Sequence, residues 1–177
     1  FPEGSEDNAV STSEALSDLP SLDNGDNHEV YKTEPQNKYQ ELMRINSTVV
    51  MNNEGTNHTE QTKHIISMVP DGGTIKDLPE EYYSVRNYNS AFKRMNSQKP
   101  STTIDCGHRN YFHYKENRVP TVRESARIQS FPDDFIFAGG QGAQFRQVGN
   151  AVPPLLSKAI ADTLKTYLDR NTSEEEN

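Results

Sequence analysis

Apolar residues are spread thinly along this chain, and one stretch carries them at sustained helical spacing. Over 155–168, Leu155, Leu156, Ala159, Ile160, Leu164, Tyr167 and Leu168 fall on one stripe, with Lys158, Asp162, Lys165 and Asp169 on the other. Pro153 and Pro154 stand just ahead, where a first helical turn loses nothing by lacking an N–H, so the pattern predicts a helix opening at the two prolines. Shorter helices are predicted upstream. "STSEALSDLP" sets Ser11 and Glu14 at capping-box spacing before Pro20, and "TVRESARIQSFP" does the same with Thr121 and Glu124 before Phe131-Pro132. "NKYQELMRI" reads as helical with Tyr39, Leu42 and Met43 on one side, and "TKHIISMVP" as a short apolar helix closed by Pro70.

The remaining segments lack a period. "SLDNGDNHE" and "NNEGTNHTEQ" have loop composition, and "DGGTIKDLPEEYY" is punctuated by Gly-Gly and Leu-Pro. Residues 82–118 mix aromatics and bases with β-prone pieces, "STTIDC" and "NYFHY", and read as short strands and loops. "GGQGAQ" (139–144) has neither the P-loop lysine nor G-x-G-x-x-G spacing, and is expected to be a flexible loop rather than a phosphate cradle. "NTSEEEN" (171–177) is expected to be a disordered acidic tail. The fold class is α+β.

Composition adjusts this picture in two ways. The 177 residues suffice for one domain, or one with an appendage, yet 32% hydrophobic residues and a mean hydropathy of −0.90 are low for a self-sufficient globule. Charge is also uneven. Residues 1–60 hold 12 acids and 3 bases, 61–120 hold 6 and 9, and 121–177 hold 8 and 6. The basic middle is therefore the one stretch where charge favours nucleic acid. There, "FKRMNSQKP" and "HRNYFHYKENR" interleave bases with aromatics and amides, the chemistry of backbone and base contacts, although a solvated basic face looks the same.

A single cysteine, Cys106, excludes an internal disulfide and fits a reducing compartment. No apolar run reaches membrane length, and the start shows neither a Met nor a signal-peptide pattern. The expectation is a soluble intracellular piece of something longer. Cys106 with His108 and His113 lacks the third group of a dyad and the ligand count of a metal site, so neither nucleophile nor metal is expected there.

The last third resembles the final two sequence blocks of the DNA cytosine-5 methyltransferases, bacterial type. Arg118, Thr121, Arg123, Glu124, Ala126, Arg127, Gln129, Phe131, Pro132 and Asp133 match the first block in register. Gln147, Gly149, Asn150, Ala151, Val152, Pro153 and Pro154 match the second. Before residue 100 the likeness is looser, through "EALSDLP", "YQELMR" and "VPDGGTIKDLP", and resembles the family's target-recognition region.

The resemblance implies a target-recognition region over 1–117 and conserved blocks with a closing helix over 118–170. That helix would complete a Rossmann-like S-adenosylmethionine-dependent methyltransferase domain, and an acidic tail would follow over 171–177. It implies flipping of a cytosine from double-stranded DNA, thiolate attack at C6 and methyl transfer from S-adenosylmethionine to C5. By matching position, Gly149, Asn150 and Ala151 would border the cofactor. DNA contacts would come from Lys93, Arg94, Lys99, His108, Arg109 and Asn110, and Arg118, Arg123, Glu124 and Arg127 would brace the joint as a buried network.

The family's Phe-x-Gly-x-Gly, Pro-Cys and Glu-Asn-Val blocks are absent. Cys106 sits in Asp-Cys-Gly, and Glu116-Asn117 is followed by Arg118. The chain is thus expected to be inactive alone and to need a catalytic N-terminal domain or subunit, in a bacterial cytoplasm and associated with the nucleoid. Split subunit, truncated piece and degenerate fragment all fit, and a non-catalytic DNA-binding or interaction module is the alternative.

Overall fold

The first cap predicted from sequence forms as a reciprocal pair. In the computed structural model, which describes residues 9–22, 29–85, 92–106 and 111–175 (without the side chains of 84–85 and 171–175), α1 runs Thr12–Leu16. The Ser11 amide donates to Glu14 Oε2 at 2.8 Å and the Glu14 amide to Ser11 Oγ at 3.3 Å. Its first free amides are also satisfied from far along the chain, Thr12 N by Lys99 O and Ser13 N by Ser97 O. Helix α2 is Lys38–Met43, with Asn37 accepting from the Gln40 amide, and α3 is Glu60–Met68, capped by Thr59. On α2 the buried residues are Gln40 and Met43, while Leu42 is exposed, so the apolar side expected there is only partly used. Two 3₁₀ turns, Ile75–Asp77 and Glu80–Val85, occupy the aperiodic stretch.

Strand β1 (Lys93–Arg94) pairs in parallel with β2 (Tyr111–Phe112), Lys93 opposite Tyr111 and Arg94 opposite Phe112. "STTIDC" joins no strand among the described residues. Helix α4 (Val122–Ile128) lies at the centre, in contact with α1 and α5, and is buried from Val122 to Arg127. Helix α5 is Gln141–Asn150, and α6 is Pro154–Glu175.

Three apolar clusters hold these pieces. One joins Met95, Ile104 and Tyr111 to Val122, Ala126, Phe131, Phe137, Phe145 and Val148. A second joins Ile65 and Ile66 of α3 to Phe92, Phe112 and Val119, and a third joins Ala15, Leu16 and Leu19 to Val50. The first two draw residues from both sides of 117, so the stretch up to Phe112 and the block 118–150 share core contacts. The element that stands apart is α6, where every residue from 161 to 170 is exposed.

Two expectations need correction. The glycine stretch 139–144 is the start of α5: Gly139 turns the chain at φ +87° and Gly140 is the N-cap. The stretch expected as a disordered tail continues α6 as far as Glu175.

Candidate functional site

The block 118–133 becomes a framework through its charges. Glu124 Oε2 accepts the Thr121 amide at 2.7 Å as part of the α4 cap. The same carboxylate takes two bonds from Arg118, Nη1 at 2.8 Å and Nη2 at 2.7 Å. Burial pushes the Glu124 carboxyl up, but the Arg118 guanidinium, the nearby His113 and the Thr121 amide overcome it and hold the group at about 2. His113 lies with its Nε2 3.7 Å from Glu124 Oε1, and its Nδ1 accepts the amides of Lys115 and Glu116. Burial pushes its pKa down. Cys106 is exposed. His108 lies outside the described residues.

One turn on, Arg127 forks to two carboxylates. Its Nε and Nη2 reach Asp133 at 2.7 and 2.6 Å, and its Nη1 and Nη2 reach Asp18 at 2.9 and 3.2 Å. Arg44 joins Asp18 at 3.3 Å, and the Tyr31 hydroxyl donates to Asp133 Oδ2 at 2.6 Å. Arg123 hydrogen-bonds to backbone, Met51 O at 2.9 Å, Pro132 O at 3.2 Å and Phe135 O at 2.6 Å, and its Nη1 also stands 3.8 Å from Asp133 Oδ1. Glu124 therefore pairs with Arg118, not with Arg123. Asp18, which closes the network from 109 residues away, carried no signal in the sequence.

Side-chain amides then place α5. Asn52, at φ +61°, donates Nδ2 to Phe137 O and accepts from Phe137 N, both at 2.9 Å, as a strand neighbour would. Gln147 Nε2 holds Ala138 O at 2.9 Å, and Gln129 Nε2 holds Val148 O at 3.0 Å. Gln129 of the first block thus ties it to the second at Val148, while Gln147 of the second block holds the intervening turn at Ala138.

Gly149 is set by contact with this chain. A Cβ there would lie 2.5 Å from Cys106 Cα and 2.6 Å from Asp105 O, so the close approach it permits is to the backbone of 105–106. Asn150 is exposed at the end of α5, and Ala151, its C-cap, is half-buried.

Of the residues expected at DNA, Lys93 is half-buried on β1 and Lys99 is exposed. His108, Arg109 and Asn110 lie outside the described residues. Arg94 is corrected. Its guanidinium is buried and donates to Ile66 O (2.6 Å), Val69 O (2.8 Å), His113 O (2.9 Å) and Glu116 O (3.1 Å), and to Asn117 Oδ1 (2.9 Å). A buried charge needs such partners, and these are internal. Among the described residues, no helix is long and apolar enough to cross a membrane.

Over residues 3–166 the chain matches the family described as C-5 cytosine-specific DNA methylase. It is 37% identical over 174 residues to type II methyltransferase M1.HphI of Haemophilus parahaemolyticus, covering 98% of this chain and 41% of that one. It is 34% identical over 138 residues to type II methyltransferase M.AquIB of Picosynechococcus sp., covering 71% of this chain and 95% of that one. In fold it is similar to a crystal structure described as a prophage-encoded DNA modification methyltransferase of E. coli, at TM-score 0.70 and 22% identity, covering 95% of this chain and 52% of that chain. The chain thus spans less than half the length of M1.HphI, whereas M.AquIB is matched almost whole.

Proposed function

The chain belongs to the C-5 cytosine-specific DNA methylase family, and from that premise we propose that it is the DNA-recognition and cofactor-site-completing part of a DNA (cytosine-5) methyltransferase of restriction–modification type. The observation that carries this reading is the pairing of a fully ordered Gln147–Pro154 block with an α6 whose apolar stripe is exposed. Such a stripe gains by meeting another apolar surface. M.AquIB, a methyltransferase chain that this one covers almost end to end, supports a short chain as a working unit of such an enzyme.

In this reading a catalytic partner provides the thiolate and most of the cofactor pocket, and S-adenosylmethionine supplies the methyl group. This chain's share is positional. Lys93 and Lys99 hold phosphates, with His108, Arg109 and Asn110 as further candidates for DNA contact. Asn150 and Ala151 border the cofactor's methionine end. Gln129, Gln147 and Gly149 keep that edge at a fixed place relative to the recognition part. Cys106 takes no covalent role.

The test mixes the chain with a catalytic part carrying Phe-x-Gly-x-Gly, Pro-Cys and Glu-Asn-Val blocks, DNA and methyl-labelled cofactor. Labelling of DNA is expected only when both parts are present. Labelling by this chain alone would overturn its predicted inactivity. Absence of labelling from the pair, with the catalytic part shown to be folded, would favour a non-catalytic binding module.

A further inference from the structure

We propose that the groove between the end of α2 and the start of α6 is a second docking point for the catalytic partner, taking an apolar side chain of that partner beside the α6 stripe. The inference rests on the function proposed above and adds where the partner grips the recognition body itself.

The groove encloses about 300 Å³ between Leu42 and Ile45 on one wall and Pro132, Pro154 and Leu155 on the other, with Lys158 at its rim. Its lining is mainly carbon. Ile45 is 70% exposed and Leu42 42%, with Leu155 at 39% opposite them. Single exposed apolar residues are ordinary, but a walled apolar groove continuous with a longer apolar stripe marks an interaction surface. Leu155 belongs to both, and Leu156, Leu164, Tyr167 and Leu168 carry the exposed surface along α6.

The two walls are fixed to one frame. The Asp133 amide donates to Met43 O at 2.8 Å, which ties the end of α2 to the Arg127 network. The Leu155 amide donates to Ser130 Oγ at 3.1 Å, which ties the first turn of α6 to the end of α4. Ser130 holds φ +60°, a conformation that disfavours a non-glycine residue, so the fold accepts local strain where it aims α6 and shapes this groove.

Relatives indicate the occupant. In the solved structure of the same fold, 95% of this chain corresponds to only 52% of that chain, and M1.HphI extends beyond this match by more than half its length. In these two proteins the matching body is accompanied by a comparable mass of further protein in the same chain, and an anchoring apolar side chain set in a walled pocket is the usual centre of such a contact.

The experiment titrates the catalytic part with the full chain carrying Ile45→Asp, Leu42→Asp or Leu164→Asp, and reads the dissociation constant by calorimetry. Circular dichroism and DNA binding of each variant alone serve as controls. Ile45 is mostly exposed, so Ile45→Asp leaves the isolated chain folded, and Ile45→Ser repeats the test without a charge. The expected result is at least about tenfold weaker association for both Ile45→Asp and Leu164→Asp. Weakening by Leu164→Asp with Ile45→Asp and Leu42→Asp unchanged would overturn the groove while keeping α6 as the dock. Indifference to all three would overturn the reading of α6 as well. Self-association of the chain that Ile45→Asp abolishes would give the groove to a second copy and sink the proposal.

Discussion

Arg123 and Arg127 sit one turn apart on a buried helix and lean on different sets of partners: Arg123 hydrogen-bonds to three carbonyls and stands 3.8 Å from Asp133, while Arg127 forks to Asp18 and Asp133 and also donates to Ala15 O. Removing Arg123 leaves the Met51, Pro132 and Phe135 carbonyls without their charged donor, bonds worth roughly 1.5–3 kcal/mol each when fully buried and less at these partly exposed groups. Arg123→Ala is expected to lower Tm by roughly 5–10 °C while changing DNA affinity less than about twofold. Thermal melts beside fluorescence anisotropy separate the two readouts, and a large loss of affinity at unchanged Tm would assign Arg123 to DNA. Ser125 runs the other way. Its Oγ is a buried side-chain oxygen with no hydrogen-bond partner among the described residues, so Ser125→Ala removes an unsatisfied group and is expected to keep or raise Tm. A drop of several degrees would show that the hydroxyl has a partner. Sequence alone made Arg94 look like Lys93, since both are bases in a basic stretch. Nothing in that stretch records that Ile66, Val69, His113, Glu116 and Asn117 converge on one of them.

At the level of elements, capping was legible from spacing, whereas the burial of the α4 charges was expected only through the family resemblance. Ser11/Glu14 and Thr121/Glu124 announce α1 and α4 by spacing alone, because the cap is local. That Arg123, Glu124, Ser125 and Arg127 are all buried contradicts any apolar-stripe reading of α4, and it depends on Asp18 and Arg118 arriving from elsewhere. Helix α5 was hidden for a related reason. Glycines at 139, 140, 142 and 149 argue for a loop by propensity, whereas side-chain amides and the contact of Gly149 with 105–106 hold the helix from outside.

The buried cluster around α4 also predicts a response to acid. The folded pKa of His113 is lowered, so below about 6.5 the unfolded chain takes up a proton that the folded one refuses, and stability falls. Glu124 titrates at about 2 when folded and near 4.5 otherwise, so its contribution is present above 4.5 and is lost as pH drops toward 2. Arg94, Glu116, Arg118 and Glu124 are the charges facing His113. Tm is expected to decline from pH 7.5 to 5.5 and again below 4.5, with the first decline reduced in His113→Gln. A flat profile between 7.5 and 5.5 would contradict the buried neutral imidazole.

For the molecule as a whole, the bases at the surface and the base in the interior should part company. Lys93→Ala and Lys99→Ala are expected to weaken DNA binding across sequences and to shallow its salt dependence by about one unit each. Arg94→Ala is expected to lower Tm first. Anisotropy at several salt concentrations decides, and an unchanged slope in both lysine variants would remove this face from the interface.

Twenty-two residues at 1.5 Å each make α6 a rod about 33 Å long. Its first turn is fastened by the Leu155 amide on Ser130 Oγ. A tilt of about 10° at that fastening sweeps the far end through roughly 6 Å, taking the rod length from helix geometry. The angle at Ser130 is consequently a gear between two surfaces. A small change of angle at the base is therefore a change of several ångströms in where the apolar stripe is presented.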